Sequence, residues 1–309
     1  MTHRKKIIVS LRAGRLANRL VLFANAIALA EECGCQVFNA AFHSYAEFFK
    51  TTRSDIYCRY PVAKNKSRFD LIPGVAELLR KTRIFNHAFR FAAMQHRRIP
   101  FLKSSAVLLR EMPGASGLNL NLEKESFENR IGGAQIIFVH TWKLRAPKLV
   151  QRHAQKIRDY FQPLDEFEKA AGATIETLRG NSDLVIGIHI RQGDYRRWKG
   201  GRYFFPVARY VAWMREIAAQ FPSRQAAFFV CSDEPRSADE FSGLKIALGD
   251  ALPIVDLLAL SKCDFIIGPP STFSQWASFY GATPMLHLRA AGQTIDLQPA
   301  KISDLDWMG

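Results

Sequence analysis

The stretch Leu184-Val-Ile-Gly-Ile-His-Ile-Arg-Gln-Gly-Asp-Tyr195 decides the fold. From Leu184 to Ile190 the only polar residue is His189, and the polar stretch Arg191-Gln-Gly-Asp194 follows. Such a run predicts a strand that is buried on both faces of a parallel sheet. In open parallel sheets, ligands bind beyond the carboxyl ends of the strands. The residues that follow this strand are therefore the first candidates for a functional site.

Three residues of this stretch carry candidate chemistry. His189 and Arg191 point to the same side of the strand, and Gly193 permits a sharp turn before Asp194. A planar guanidinium can grip two diphosphate oxygens and neutralise the charge that grows as a sugar–phosphate bond breaks. Asp194 could orient Arg191 or shape the loop. The alternative is that these two residues form only a local ion pair at a strand end.

The same alternation of short apolar strands and helices occurs on both sides of this stretch. It predicts an α/β protein with two Rossmann-like domains that face a cleft and join near residue 163. Residues 40–130 show the weakest pattern. Strands are predicted at Lys6–Leu11, Gln36–Asn39, Gln135–His140, Leu184–Ile190, Ala226–Cys231, Phe265–Gly268 and Met285–Leu288. Helices are predicted from Leu16 to Ala30 and at Ala146–Phe161, Leu164–Arg179, Pro206–Gln220, Ile254–Ser261 and Thr272–Phe279.

Three further strand ends carry polar residues with two possible roles each. Gly14 permits a tight turn before a helix whose N-terminus suits a phosphate, or the turn is merely structural. Ser232 and Asp233 could hold a ribose hydroxyl or a base edge, or cap a helix. Ser271 and Thr272 begin a helix, where capping and phosphate binding are compatible.

The charge of the chain predicts an anionic partner or surface. The formal net charge is +15, and residues 78–110 contain no acid. That region predicts a basic amphipathic helix with Phe85, Ala88, Phe89 and Ala92 on its apolar face. It is either a solvated basic face over an ordinary core or a surface that attaches to anionic lipid. The basic residues that fall there include Arg80, Lys81, Arg83, His87, Arg90, Arg97, Arg98 and Lys103.

Other features of the composition bear on location and cofactors. No run approaches the length of a membrane-spanning helix, and the apolar stretch near the start is too short for a signal peptide. We therefore expect a cytoplasmic protein, peripheral at the inner membrane face if the basic segment binds lipid. The five cysteines match no zinc-site spacing, which predicts reduced, mostly buried thiols.

Four motifs in this order resemble those of the GDP-fucose-dependent fucosyltransferases. They read G-R-x-x-N from Gly14, H-x-R-x-G-D-Y from His189, F-x-x-S-D-E from Phe229 and S-T-F-S-x-W from Ser271. The bacterial α1,2-fucosyltransferases are the most similar branch, with the α1,6- and protein O-fucosyltransferases more distant. The resemblance implies a GT-B-like fold, an inverting transfer of fucose to a glycan hydroxyl, and no metal or other cofactor.

The resemblance also implies roles for domains and residues. Residues 1–162 would form the acceptor-side domain and 163–309 the domain that binds the nucleotide sugar. Arg191 would contact the donor diphosphate, with Asp194 and His189 as further catalytic candidates. The other donor-binding residues would be Gly14, Arg15 and Asn18 from the opposite domain, Ser232 and Asp233 near the guanosine, and Ser271, Thr272 and Phe273 around phosphate.

Some questions stay open at this level. Gln192 stands where the family usually has a second Arg, and Ala17-Asn18-Arg19 stands where Gly-Asn-Gln is usual. The α1,2 linkage and the donor sugar are therefore open. Asp194, His43 and His140 are alternatives for the general base.

The two rival functions are a glycosyltransferase of the same fold with another nucleotide sugar, and a non-enzymatic protein that binds anionic membrane or nucleic acid. No nucleic-acid motif accompanies the basic segment.

Overall fold

The computed structural model describes residues 4–12, 14–63, 75–110, 120–250, 252–297 and 299–306. The chain divides into two compact units, Met1–Leu164 with Asp304–Trp307, and Asp165–Ser303 with Met308–Gly309. The described part of the C-terminal tail, 304–306, thus belongs to the first unit, where Leu305 is fully buried. The acceptor-side and donor-side roles of the two domains stay predictions.

The first unit is built on a five-stranded sheet with the order β3-β2-β1-β6-β4, in which only β3 is antiparallel. A separate parallel pair joins β5 and β7. A stretch of 3₁₀ helix covers Ala40–Phe48. The strands are β1 (Lys6–Val9), β2 (Gln36–Phe38), β3 (Arg59–Tyr60), β4 (Ala106–Leu109), β5 (Leu120–Asn121), β6 (Ile136–Val139) and β7 (Leu144–Arg145). The helices are α1 (Leu16–Cys33), α2 (Val75–Thr82), α3 (Ile84–Gln95), α4 (Pro100–Lys103), α5 (Lys124–Ile131), α6 (Pro147–Arg152) and α7 (Ala154–Tyr160).

Helix α1 forms the centre of the first unit. It is apolar nearly all round, and a helix of this kind is stable only when other elements cover every side. Almost all its residues from Leu16 to Ala30 are accordingly buried. The Phe23 ring makes edge-on contacts with Phe42, Tyr160 and Phe161 at centroid distances of 5.3–5.5 Å.

The second unit is a five-stranded sheet with the order β10-β9-β8-β11-β12, parallel throughout. Strand β8 is buried at every residue, as its apolar sequence predicts. Short 3₁₀ stretches cover Asp194–Arg196, Trp198–Gly201 and Ala238–Phe241. The strands are β8 (Leu184–Ile190), β9 (Ala226–Ser232), β10 (Ile246–Leu248), β11 (Phe265–Gly268) and β12 (Met285–His287). The helices are α8 (Asp165–Arg179), α9 (Val207–Gln220), α10 (Pro253–Ser261) and α11 (Thr272–Gly281).

Both sheets have a topological switch point, where successive strands begin to add on the other side of the first strand. It lies between β1 and β6 in the first unit and between β8 and β11 in the second. Ligands of open parallel sheets bind beyond the carboxyl ends of the strands at such points. The fold therefore selects the loops after β8 and β11, and the loop after β1, as places for a site.

The α/β class with two mainly parallel sheets is confirmed. Two helix predictions were wrong in detail. The basic segment is three helices, because Arg83 adopts a left-handed backbone with φ of 56° and Pro100 begins a new helix. The predicted helix Ala146–Phe161 breaks at His153. The Arg80 side chain lies outside what the structure describes.

Candidate functional site

Arg191 follows β8 directly and is held between two carboxylates. Its Nη2 lies 2.7 Å from Asp194 Oδ1, and its Nε lies 3.4 Å from Asp233 Oδ2. The guanidinium also lies over the Tyr195 ring, 5.6 Å from the centroid. The Arg191 side chain is 18% exposed, so that it is held in place and yet reachable from solvent. The predicted local ion pair between Arg191 and Asp194 is thus present, and Arg191 stays partly exposed.

The two carboxylates differ in their surroundings. The side chain of Asp233 is 9% exposed, and its Oδ1 accepts a hydrogen bond of 2.8 Å from the Gln192 backbone N–H. The side chain of Asp194 is 61% exposed. Asp233 therefore fixes the loop after β8 to the end of β9, whereas Asp194 can move away from Arg191 when a ligand arrives.

Gln192, the departure from the family motif, has a structural explanation. Its side chain is buried, and Nε2 donates a hydrogen bond of 2.8 Å to the Phe205 carbonyl oxygen. A second arginine at this position would bring a charge into that buried place. Gln192 instead ties the loop to the segment before α9.

Further contacts connect the loop after β8 to its neighbours on both sides. The Tyr195 hydroxyl donates to the Pro270 carbonyl oxygen, which joins this loop to the one before α11. Arg196 makes a two-pronged ion pair with Glu234, and this pair lowers the pKa of the Glu234 carboxyl. The position of Arg191 thus depends on residues that are far apart in sequence.

His189 is buried beneath this loop. Its Nδ1 lies 3.4 Å from Ser274 Oγ, and its ring packs on Phe273 at a centroid distance of 5.2 Å. Burial, with a smaller effect of the Arg191 charge, lowers the pKa of His189 to about 3. The imidazole is therefore neutral at neutral pH, and it links β8 to the start of α11.

The start of α11 combines a helix cap with polar groups that face the strand ends. Ser271 is the N-cap, and its Oγ accepts a hydrogen bond of 3.2 Å from the Phe273 N–H. Ser271 and Thr272 are largely buried. Both predicted roles remain compatible, because the N-terminal N–H groups of a helix suit an anion whether or not one of them is capped. Ser232, at the end of β9, accepts a hydrogen bond of 3.1 Å from the Glu234 N–H through its Oγ.

The loop after β1, in the first unit, contains the other predicted donor-binding residues. Gly14 has φ of 64°, a backbone conformation that favours glycine, and Asn18 packs against it. Arg15 begins α1 with an exposed side chain. Arg19, where the family usually has Gln, is buried and donates to the carbonyl oxygens of Gly14 and Ala41 at 3.3 and 3.0 Å.

The two candidate histidine bases belong to this first unit. His43 contacts the Ala40 carbonyl oxygen, and burial lowers the pKa of its imidazole. His140 Nδ1 lies 3.2 Å from Ser10 Oγ, where β1 and β6 end at the switch point, and burial lowers its pKa too. Both have local partners, so each has a structural explanation.

Asp256 is a candidate site residue that our sequence interpretation missed. It is buried near the start of α10, and its Oδ1 accepts a hydrogen bond of 2.9 Å from the Asp250 N–H. Burial raises the pKa of its carboxyl to about 6. Asp256 and Asp233 both act electrostatically on the buried Cys231 thiol near the end of β9. A lone acid in the apolar helix sequence PIVDLLALS was the signal that could have found it.

Two kinds of feature are absent from the described residues. No helix there is both long and apolar enough to cross a bilayer. No cluster of three or more His, Cys, Asp or Glu side chains that could hold a metal ion occurs in the part of the chain that the structure describes.

The two mainly parallel sheets and the loops beyond β8 and β11 are typical of an α/β protein that binds a phosphorylated ligand at its strand ends. The chain belongs to glycosyl transferase family 11, whose model matches residues 142–296. This match covers both the loop after β8 and the start of α11.

Similar proteins agree with this family. Galactoside alpha-(1,2)-fucosyltransferase 1 of Saimiri boliviensis boliviensis is 29% identical over 153 residues, which cover 43% of this chain and 40% of the relative. Nodulation protein Z of Azorhizobium caulinodans is 30% identical over 141 residues, which cover 33% of this chain and 40% of the relative. The matched part of this chain thus spans about 40% of the length of these curated relatives.

Solved structures show the same fold over almost the whole chain. A mutant of Arabidopsis thaliana FUT1 in complex with GDP has a TM-score of 0.57 at 13% identity, covering 96% of this chain and 74% of that one. Fucosyltransferase NodZ from Bradyrhizobium has a TM-score of 0.53 at 16% identity, covering 93% of this chain and 96% of that one.

Proposed function

We propose that this protein transfers fucose from GDP-fucose to a hydroxyl group of a glycan acceptor, with inversion and without a divalent metal. The observation that carries the proposal is Arg191, held at the end of β8 beside the N-terminus of α11. Family membership supports it. NodZ alpha-1,6-fucosyltransferase soaked with GDP-fucose and the FUT1 complex with GDP have the same fold.

The donor diphosphate would bind between Arg191 and the start of α11. Asp194 Oδ1 lies 2.7 Å from Nη2 of Arg191, and Asp233 Oδ2 lies 3.4 Å from the buried Nε without a hydrogen bond, so Nη1 would be the atom that binds a phosphate oxygen. The hydroxyl groups of Ser271 and Thr272, with N–H groups of the first turn of α11, would hold a second oxygen. These fixed positive groups can do the work of a divalent cation.

The guanosine would extend over the ends of β9 and β10. Ser232 and Asp233 lie where ribose hydroxyls bind in related sheets. The Asp256 carboxylate suits the guanine edge, because its two oxygens can accept from the ring N–H and the amino group. Binding of those two donors would favour the ionised form of Asp256 and lower its pKa.

The reaction would be a single displacement. The acceptor hydroxyl oxygen bonds to the anomeric carbon of fucose, the bond from that carbon to the diphosphate oxygen breaks, and GDP leaves with the electron pair. Arg191 would stabilise the charge that develops on the leaving oxygen. The Asp194 side chain is exposed beside Arg191, so it could accept the hydroxyl proton late in the step. Buried, neutral His189 would position Phe273 and Ser274 rather than exchange protons.

A donor panel tests the proposal. The purified protein is titrated calorimetrically with GDP, GDP-fucose, GDP-mannose, UDP and UDP-glucose in the presence of a metal chelator. We expect GDP and GDP-fucose to bind and the uridine nucleotides not to bind. Binding of only the uridine nucleotides would keep the glycosyltransferase class and overturn the donor. No nucleotide binding would overturn the enzyme proposal.

Turnover measurements complete the test. GDP release from GDP-fucose, with a panel of glycan acceptors, should occur at full rate with the chelator present. Analysis of the product linkage would then test inversion. The glycan acceptor and the cytoplasmic location stay predictions.

A further inference from the structure

Helices α2, α3 and α4 expose large apolar side chains to solvent. Of the eight large apolar side chains that are exposed among the described residues, five lie in these three helices. Most of the exposed apolar side chains are thus concentrated in one short segment. A group of exposed apolar residues indicates an interaction surface. These five are Leu78, Ile84, Phe91, Met94 and Phe101, with exposed fractions of 59, 51, 65, 50 and 71%.

Packing inside the first unit does not explain these residues. The inner side of α3 already has its partners, because Phe85 and Phe89 contact the Tyr57 ring, at centroid distances of 4.7 and 6.4 Å. Ala93 is fully buried in a small core with Leu102 and Phe138. Helix α3 is therefore apolar on its outer side as well as on the side that faces the core. A surface helix normally has polar residues on its outer side.

Exposed basic side chains are interspersed with the exposed apolar ones along this segment. Residues 78–110 contain no acid, so no carboxylate of this segment neutralises them. Lys81 pairs with Glu77, which precedes the segment. The exposed basic residues that the structure describes in this segment are Lys81, Arg83, His87, Arg90, Arg97, Arg98, Lys103 and Arg110. The surface is thus apolar and strongly positive at once.

We propose that α2, α3 and α4 dock on an anionic lipid bilayer, with the five apolar side chains inserted among the acyl chains and the basic ones at the phosphates. This combination of basic side chains and exposed Phe, Leu, Ile and Met is the one that interfacial helices use. Anionic lipid supplies the opposite charge, and each basic residue near the bilayer surface adds to the attraction.

Two other occupants fit the surface less well. Nucleic acid would match the charge, and the Phe91 and Phe101 rings could stack on bases, but the three aliphatic side chains of the set could not. A second copy of this chain would bring the same positive charge to the interface, which opposes self-association. The proposal is independent of the transferase reaction, since none of these residues belongs to the donor site.

Vesicle co-sedimentation without any nucleotide tests the proposal. The full chain is mixed with vesicles of phosphatidylcholine alone or with phosphatidylglycerol added. We expect binding to the anionic vesicles, weaker binding at high salt, and little binding to the neutral ones. The double variant F91S/F101S should bind the anionic vesicles about tenfold more weakly, because two inserted rings are lost.

Matched variants distinguish binding of vesicles through this surface from nonspecific adsorption. Ile302 is also exposed, at 49%, but lies in the second unit, so I302S should bind as the wild type does. The affinity of R90Q/R97Q for anionic vesicles should fall about as much as that of F91S/F101S. K124Q/R130Q removes two exposed charges of α5, and its affinity for these vesicles should fall only slightly. Thermal unfolding of each variant would check that it is folded.

Three results would overturn the proposal. The first is no binding to anionic vesicles. The second is an equal loss for F91S/F101S and I302S. The third is binding to a single-stranded oligonucleotide, with vesicle binding absent, which would assign the surface to nucleic acid. Intact GDP-fucose turnover in F91S/F101S with soluble acceptors would show that the donor site is unaffected.

Discussion

The loops after β1 and after β8 occupy equivalent places in their two sheets, yet different contacts hold them. The loop after β8 is fixed by the buried Asp233 carboxylate, by Tyr195 and by the ion pair of Arg196 with Glu234. At the loop after β1, the Gly14 carbonyl oxygen accepts a hydrogen bond from buried Arg19, and Arg15 precedes α1 with an exposed side chain that makes no cap hydrogen bond. The same topology thus holds the arginine after β8 between carboxylates and leaves Arg15, in the loop after β1, exposed to solvent. Charge stabilisation in catalysis needs an arginine that is held in place, as the first one is.

The largest expected effect is on turnover, when one arginine in each of the two loops is replaced by lysine. Arg191→Lys keeps the charge and loses the planar fork, so we expect turnover of GDP-fucose to fall by about 10²–10³-fold. Arg15→Lys, in the exposed loop, should lower turnover by less than about tenfold. Steady-state kinetics with one donor and one acceptor provides the measurement. Equal losses for the two variants would contradict the comparison.

The second prediction concerns the buried carboxylate beyond β9 and β10. The pKa of Asp256 rises from 3.8 to about 6 on folding, so the folded state binds the proton more tightly than the unfolded state. The stability that this proton contributes is complete below about pH 4 and is lost as the pH rises to about 6, by at most about 3 kcal/mol.

Asp256→Asn should therefore raise the free energy of unfolding at pH 7 and leave it nearly unchanged at pH 4, as urea titrations at the two pH values would measure. GDP affinity should fall at the same time, because the amide offers one acceptor in place of two. A variant that is equally destabilised at both pH values would show that Asp256 is not the buried acid described above.

The third prediction compares the two carboxylates that hold Arg191. Asp233→Asn keeps an acceptor for the Gln192 N–H but removes the charge beside Arg191, and we expect a loss of about tenfold in kcat/KM. If Asp194 accepts the acceptor proton, Asp194→Asn should lower kcat and alter its dependence on pH. If Asp194 only orients Arg191, the loss should be smaller than for Asp233→Asn and independent of pH.

The smallest expected effect comes from two glycines of the first unit with the same backbone. Gly34, with φ of 63°, has no atom near the position of an added Cβ, so Gly34→Ala should cost about 1 kcal/mol and leave turnover unchanged. A Cβ at Gly14 would lie 2.1 Å from Asn18 Nδ2, so Gly14→Ala must displace Asn18. Denaturant titration and kinetics on both variants would show whether the position of Asn18 matters to the reaction.

Much of the second unit could be predicted because its elements carry their own signals. The apolar runs of β8 and β11 have the bounds that the sequence predicts. Strand β10, at the edge of its sheet, is only three residues long, and β4 lies in the least legible region. Short strands of that kind show no periodicity of their own and form because a neighbouring strand offers hydrogen bonds.

The outer surface of the basic segment, in contrast, could not be predicted from the sequence. Its charge is visible in the sequence, and the expected apolar face does pack inward through Phe85 and Phe89. That Phe91, Met94 and Phe101 would be left outside was not visible, because a helical pattern states which residues share a face and not whether another element covers it. Nor does a helical pattern place the break at Arg83, whose left-handed backbone is uncommon for a residue with a side chain.

The sequence by itself determined the alternation of strands and helices, the strand-end motifs and the positive charge, since these follow from local composition and spacing. Only the tertiary structure decided that Asp233 and Asp194 hold Arg191, that Gln192 is buried and bonded to the Phe205 carbonyl oxygen, and that Asp256 is a buried acid. These contacts join loops that follow different strands. Which loops meet depends on the order of strands in the sheet, and that order is a property of the whole packed unit.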